Sequence, residues 1–372
     1  MASNDSSAGI EKLIRSHLTS FVSYGASTSP ETLKGKVEVP VESIIKLDAN
    51  ENPYGCSPKV LEVLADYPYF NIYPDNGQAE LRELLARYTG VAAERIVASG
   101  GSNQLIDLII RLFVGSGDEV INCVPTFDVY RFSTEICGGT LVDIPRDENF
   151  AVNVSAVKAA ISEKTRLIFL ANPNSPTGNM TSQKDIVAVV ETGLPVVVDE
   201  AYYEFSGETV VPMVSRYENL MVLRTFSKWA GLAGLRVGYG IFPTKIASYL
   251  MAIKMPYNIN VAAHIAVRES LKDVDYLLDR VKAIVVERER LFSQLKKLKF
   301  LKPFPSQGNF IFCSVLSGKA SELHQRLQRK GILARYFNKP FLQNAIRISV
   351  GKPEHTDALI KALQELGGET DG

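Results

Sequence analysis

Lys228 carries the strongest chemical signal in the chain. It stands in Thr225-Phe226-Ser227-Lys228-Trp229-Ala230-Gly231-Leu232-Ala233-Gly234-Leu235-Arg236, a lysine flanked by hydroxyls and followed by glycines and an arginine. Hydroxyls and an arginine suit a phosphate, and glycines let backbone come close to it. An amine beside such a cradle suits Schiff-base chemistry with a phosphate-bearing aldehyde, which is the chemistry of pyridoxal phosphate (PLP). A surface lysine before a glycine-rich turn would give the same short pattern, so the other parts of such a site must be sought elsewhere.

Several residues could supply them. Asp199 ends the apolar run Val196-Val197-Val198. A carboxylate there is costly unless paired, and a protonated pyridine nitrogen would be a suitable partner. The plainer alternative is an N-cap before Glu200-Ala201-Tyr202. Tyr202 could tune the pKa of a ring hydroxyl or of the lysine, or simply pack in the core. Gly101-Ser102-Asn103 opens a helix after a strand, and free N–H groups there seat phosphate. Phe127, in Pro125-Thr126-Phe127, could stack on a flat ring or fill the core. Arg347 is a charge inside the apolar run Ile346-Arg347-Ile348-Ser349-Val350, and Arg335 lies nearby in sequence. Arginine is rarely buried without a partner. A bidentate substrate carboxylate or phosphate would serve for Arg347, and so would a structural ion pair.

These residues need elements to hold them. Strands are expected at 95–99, 119–124, 166–171, 194–198, 220–224 and 237–241, from short apolar, β-branched runs. After 95–99 a Gly100-Gly101 turn leads to a helix capped by Ser102, with Leu105, Ile106, Leu108, Ile109, Leu112 and Phe113 on its buried side. The stretch from Asn172 to Gly178 holds two prolines and a glycine and cannot be regular. Strand-helix alternation implies an α/β fold, a mostly parallel sheet covered on both faces. The candidates cluster at strand ends, where open α/β sheets bind ligands. The last third differs. A long helical stretch over 261–298 precedes strands at 310–313 and 345–350, with a helix over 321–330 between them. This reads as a smaller α+β domain.

Composition removes other classes. The 41 basic and 41 acidic residues balance, so no global field favours nucleic acid or an anionic membrane. No apolar run approaches the roughly 18 residues of a membrane span. Cys56, Cys123, Cys137 and Cys313 show no paired spacing, and reduced cysteines in a cytosol-like compartment are expected. His17, His264, His324 and His355 lie far apart and show no metal spacing, so no metal is expected. The small, polar segment 1–9 has neither a signal-peptide core nor an Arg-rich amphipathic pattern.

In this order the pieces resemble the fold-type I PLP enzymes, the aspartate-aminotransferase superfamily, over about residues 24–351. Four motifs narrow the resemblance: Leu47-Asp48-Ala49-Asn50-Glu51-Asn52-Pro53-Tyr54-Gly55, Asn71-Ile72-Tyr73-Pro74-Asp75, Asp199-Glu200-Ala201-Tyr202 and Val222-Leu223-Arg224-Thr225-Phe226-Ser227-Lys228. As a set they are similar to the histidinol-phosphate aminotransferase family. The resemblance implies a large PLP-binding domain at 46–258, with a mostly parallel seven-stranded sheet between helices. It implies a small α+β domain at 259–372, joined by an N-terminal segment at 1–45.

The resemblance also implies roles. Lys228 would form the Schiff base and shuttle the proton. Asp199 would pair with the pyridine nitrogen and Tyr202 with the ring hydroxyl. Gly101, Ser102, Asn103, Thr225, Ser227 and Arg236 would form the cofactor-phosphate site, and Phe127 would stack on the ring. Tyr73 would reach the phosphate of the neighbouring subunit, which implies a homodimer. Tyr24, Asn50, Arg335 and Arg347 would line the substrate pocket. Three positions depart from the family pattern. Ser175 stands where an asparagine usually contacts the ring hydroxyl, so either Ser175 or Asn172 could take that contact. Asn103-Gln104 stands where Asp-Glu is frequent, and Phe127 where a tyrosine commonly stacks. The implied reaction is amino transfer between glutamate and imidazole-acetol phosphate, in histidine biosynthesis. An aromatic-amino-acid aminotransferase or a phospho-amino-acid decarboxylase of the same fold is the alternative. Small-molecule substrates, no nucleic acid, no membrane and a cytoplasmic location are expected, or a plastid stroma had a transit peptide been removed.

Overall fold

The computed structural model describes residues 7–19, 21, 25, 30–33, 35, 37–337 and 339–368. Its strands, in chain order, are β1 (Ile45–Leu47), β2 (Ile96–Ser99), β3 (Glu119–Val124), β4 (Thr140–Pro145), β5 (Thr165–Ala171), β6 (Val196–Asp199), β7 (Leu220–Thr225), β8 (Gly238–Ile241), β9 (Leu301–Pro303), β10 (Phe310–Val315), β11 (Ile332–Phe337) and β12 (Ala345–Ser349). They form two sheets.

The larger sheet has seven strands in the order β2-β8-β7-β6-β5-β3-β4. The neighbours from β7 through β6, β5 and β3 to β4 pair in parallel, and β8 runs antiparallel to both β7 and β2. The mostly parallel α/β sheet expected from the sequence is therefore present. Its central strands are buried along their length, as their β-branched composition requires when helices cover both faces. Edge strand β4 interrupts its apolar residues with Asp143 and has only Ile144 buried, so no continuous apolar run marks it in the sequence.

The smaller sheet has the order β1-β11-β12-β10-β9. Strand β1 pairs in parallel with β11, so residues 45–47 belong to this sheet and the chain enters the larger part only after them. Helix Val261–Lys272 packs on helices Pro58–Ala65 and Ala79–Thr89, on the side of the larger sheet.

Three local expectations need correction. Ser102 does not cap its helix. Gly101 occupies the cap with φ 88° and ψ 157°, and Ser102 is the first helical residue of Ser102–Phe113. The buried side of that helix includes Ile110, whereas Leu112 and Phe113 only pack at its margin. The stretch 261–298 is not one helix either. It breaks at Asp273 into Val261–Lys272 and Val274–Leu295. The Asp273 carboxylate accepts hydrogen bonds from Ser57 Oγ (2.5 Å) and Lys59 Nζ (2.6 Å) at the start of helix Pro58–Ala65. A tertiary clamp of this kind leaves no local mark in the sequence.

Candidate active site

The carboxyl ends of β5, β6 and β7 open onto a cavity of about 480 Å³. Ala171, Asp199 and Thr225 reach it from those three strand ends, and Arg335, Phe337 and Arg347 reach it from the smaller sheet. Lys228, three residues after β7, lines the same cavity.

Asp199 is 4% exposed. Its Oδ2 accepts from Tyr130 Oη at 2.8 Å and its Oδ1 from the Ala201 N–H at 3.1 Å. Burial pushes the carboxyl up to about 6, against the two hydrogen bonds that favour the anion. The Ala201 bond is the local capping contact the sequence allowed, and it coexists with a place at the cavity. The next residue, Glu200, points away into the core. There it pairs with Arg224 at 2.9 Å and accepts from the Val210 N–H at 2.7 Å. Strand alternation thus splits two adjacent carboxylates between site and scaffold.

Lys228 Nζ donates to the Ala49 carbonyl at 2.8 Å. Burial above all holds its pKa down at about 7, and the cations Arg347, Arg236 and Lys46 lower it further, while Glu51 opposes them. A lysine so held is substantially neutral near pH 7 and can act as nucleophile and base. Tyr202 lines the cavity, its hydroxyl accepting from Asn50 Nδ2 at 2.9 Å and its ring edge-on to Phe310.

Ser102, Asn103, Thr225, Ser227 and Arg236 converge at one end of the cavity. Thr225 Oγ1 donates to Ser227 Oγ at 3.0 Å, and Arg236 Nη1 donates to Ser227 Oγ at 3.3 Å. Gly101 does not line the cavity itself. A Cβ added there would lie 2.7 Å from Arg236 Nη2, so the glycine makes room for the guanidinium. Phe127 forms a half-buried wall, edge-on to Tyr130.

Arg335 and Arg347 stand directly opposite each other on β11 and β12. Arg347 donates to Ser175 Oγ (3.1 Å) and to the Asp48 carbonyl (2.8 Å), and Arg335 donates to the Gly25 carbonyl. Of the two candidates for the ring-hydroxyl contact, Ser175 lines the cavity. Asn172 does not, and its Oδ1 accepts the Thr181 N–H at 2.7 Å. Asn50 is fully buried beside Tyr202. Tyr73 lies outside the cavity, 75% exposed and stacked on Tyr257 at 4.4 Å. Tyr24 lies outside the described residues.

Sequence reasoning missed Tyr130, the Asp48 and Ala49 carbonyls and Phe337. Tyr130 follows Phe127 by three residues, in helix Val129–Cys137 after β3, and that spacing was its only signal. The carbonyl contacts have none. Among the described residues no group of three or more His, Cys, Asp or Glu side chains could hold a metal, and no helix is long and apolar enough to cross a membrane.

Residues 42–363 match the aminotransferase class I and II family. The histidinol-phosphate aminotransferase of Dehalococcoides mccartyi (strain CBDB1) is 52% identical over 358 residues, covering 96% of this chain and 99% of that protein. The chloroplastic histidinol-phosphate aminotransferase 1 of Arabidopsis thaliana is 44% identical over 359 residues, covering 96% of this chain and 86% of that protein. The crystal structure of histidinol-phosphate aminotransferase from Sinorhizobium meliloti in complex with pyridoxal-5'-phosphate superposes with a TM-score of 0.85 at 27% identity, over 95% of this chain and 97% of that one.

Proposed function

The chain belongs to the class I and II aminotransferases, and from that premise we propose that it moves an amino group between glutamate and imidazole-acetol phosphate, giving L-histidinol phosphate and 2-oxoglutarate in histidine biosynthesis. The observation that carries the substrate is the pair Arg335 and Arg347. Like charges directly opposite on neighbouring strands are unfavourable, and an anion held between them removes the penalty. Histidinol phosphate has no carboxylate, so its phosphate takes these arginines, and two guanidinium groups suit a dianion.

The cofactor is pyridoxal 5'-phosphate, and the residues present fit it. A buried carboxylate, a lysine whose pKa burial holds down, an aromatic wall and a cradle of hydroxyls with Arg236 surround one cavity, and Gly101 leaves the space that cradle needs. When bound, PLP supplies an electron sink for the charge left at the substrate Cα. In this reading Ser102, Asn103, Thr225, Ser227 and Arg236 hold its phosphate, and Phe127 covers one face of its ring. Asp199 keeps a positive charge on the ring nitrogen, and Tyr202, oriented by Asn50, donates to the ring hydroxyl. Ser175 is the better placed of the two side chains proposed beside that hydroxyl, since Asn172 is engaged with Thr181. Lys228 Nζ would take the proton from the substrate Cα, hold it and give it back, and a pKa near 7 suits both halves of that task.

The active form in this reading is a homodimer. Tyr73 reaches the partner's cofactor phosphate from a surface where Phe70, Ile72 and Met255 are also exposed. Such a patch is larger than a lone surface aromatic and fits a second copy of the chain. The location proposed is the cytoplasm, or the plastid stroma after removal of a transit peptide.

A half-reaction tests the substrate. The PLP-loaded protein is mixed with L-histidinol phosphate, L-histidinol or L-phenylalanine and the cofactor's absorbance is followed. Fast change with histidinol phosphate alone supports the proposal. Preference for phenylalanine moves the enzyme to aromatic transamination, and CO₂ release from a phosphorylated amino acid moves it to decarboxylation.

A further inference from the structure

We propose that Tyr130 is a positioning residue that holds Asp199 as an oriented anion facing the cofactor's ring nitrogen; this rests on the reading of the site given above. Tyr130 is fully buried, and its hydroxyl lies 2.8 Å from Asp199 Oδ2. Its ring has little freedom. It stacks on Phe169 of β5 at 4.4 Å and 9°, and meets Phe127 edge-on at 5.7 Å and 84°. The same helix therefore supplies the hydroxyl that grips the carboxylate, with the aromatic wall packed against it one turn earlier.

The carboxylate needs this donor. Asp199 is buried, its neighbour Glu200 repels its charge, and its hydrogen-bond donors in the structure are the Tyr130 hydroxyl and the Ala201 N–H. The other ionisable groups around the pair are Tyr202 on the same segment, Arg146 behind Tyr130, and Lys228 in the same cavity. Burial and the Asp199 charge push the Tyr130 phenol well above its ordinary value, so it remains a donor throughout the working pH range. A hydrogen bond to an ion in such a site is stronger than one between neutral groups. It also fixes Oδ2, leaving Oδ1 to be set by the backbone, so the plane of the carboxylate is determined from two sides.

The sign of the pH effect follows. Only ionised Asp199 attracts a pyridinium. Affinity for PLP falls as pH drops through the Asp199 pKa, near 6 in the free protein. Without the Tyr130 hydroxyl the anion loses its main donor and that acid limb moves up.

The test is PLP affinity, titrated between about pH 5 and pH 8 on protein stripped of cofactor, for the native chain and Tyr130→Phe. The variant keeps the ring and both aromatic contacts. The expected result is an affinity near neutral pH lower by about tenfold, with the acid limb displaced upward by about one pH unit. Ionisations of PLP itself and of Lys228 are common to both proteins and cancel in the comparison. A merely structural tyrosine would lower the melting temperature of the cofactor-free protein and leave the limb in place. That outcome, or native affinity in Tyr130→Phe, overturns the proposal. Should Tyr130→Phe not fold, 3-fluorotyrosine at position 130 decides. It is a stronger donor of nearly the same size, and the limb must move the opposite way. No movement overturns the proposal. Native protein that fails to bind PLP at all would instead sink the functional reading on which this one stands.

Discussion

Replacing Gly101 by alanine tests the phosphate cradle most directly. Gly101 has φ 88° and ψ 157°, a conformation open essentially to glycine alone. A methyl group there meets Arg236 Nη2 at 2.7 Å and Cζ at 3.3 Å. Two separate costs follow. Backbone strain of about 1–3 kcal/mol falls on the folded protein whether or not PLP is bound. It should lower the melting temperature of the cofactor-free protein by several degrees, at roughly 2–4 °C per kcal/mol. The second cost falls on ligand binding. Arg236 must withdraw, and a lost charge-assisted hydrogen bond to phosphate is worth about 1.5–3 kcal/mol, or about 10–100-fold in Kd. Melting without PLP and a PLP titration separate the two. The double variant with Arg236→Ala is the control. Once the guanidinium is gone, Gly101→Ala should cost stability but little further affinity. Undiminished loss of affinity in that background, or native affinity in Gly101→Ala alone, would refute the reasoning.

Other perturbations have equally definite outcomes. Lys228, held at about 7 by burial and nearby cations, should capture PLP at a rate that rises with pH through about 7 and then levels off. In that window the folded chain has released a proton that the unfolded chain, with a lysine near 10.5, still holds. The cofactor-free protein should therefore gain stability as pH rises above about 7, relative to Lys228→Met, and melting curves of the two check the sign. Arg347→Lys keeps the charge but loses the fork that reaches Ser175 and Asp48. Steady-state kinetics should show KM for histidinol phosphate raised about 10–100-fold, with a smaller change in kcat. Arg224→Met strands the Glu200 carboxylate in the core, and denaturant unfolding should show a loss of about 3–5 kcal/mol.

What the sequence disclosed depended on how local the cause was. Strands β3, β5, β6 and β7 announce themselves because burial on both faces demands continuous apolar runs. Lys228, Asp199 and Arg347 were legible because each is a charge set in an apolar or glycine-rich context, where water cannot solvate it cheaply. Strand β4 was not, since an edge strand needs no such run. The break at Asp273 was not, because its cause is a clamp formed with Ser57 and Lys59, far away in sequence. Ser175 and Asn172 could not be separated beforehand. Both are short polar residues in one irregular loop, and the bond between Asn172 and the Thr181 N–H depends on how that loop closes.

The turn at 48–50 shows why side-chain types alone understate a site. It leaves β1 of the smaller sheet and lines the cavity. Arg347 holds the Asp48 carbonyl, Lys228 the Ala49 carbonyl, and Asn309 Nδ2 the Asn50 carbonyl at 2.9 Å. The Asn50 N–H donates to Ser349 Oγ at 2.8 Å, and its side chain donates to Tyr202. Asn50 also has φ 54°, a left-handed conformation that asparagine tolerates better than most residues. The proposed anion site on β12, the lysine after β7 and the phenol after β6 are thus all tied to three consecutive residues. A shift of β11 and β12 relative to the larger sheet would pull on Arg347, Ser349 and the turn together, and so on the acceptor of Lys228 and the partner of Tyr202. Four of these five contacts use backbone atoms of the turn, which every sequence possesses. The family resemblance pointed to Asn50 as a pocket residue; what that residue joins becomes apparent only once both sheets are in place.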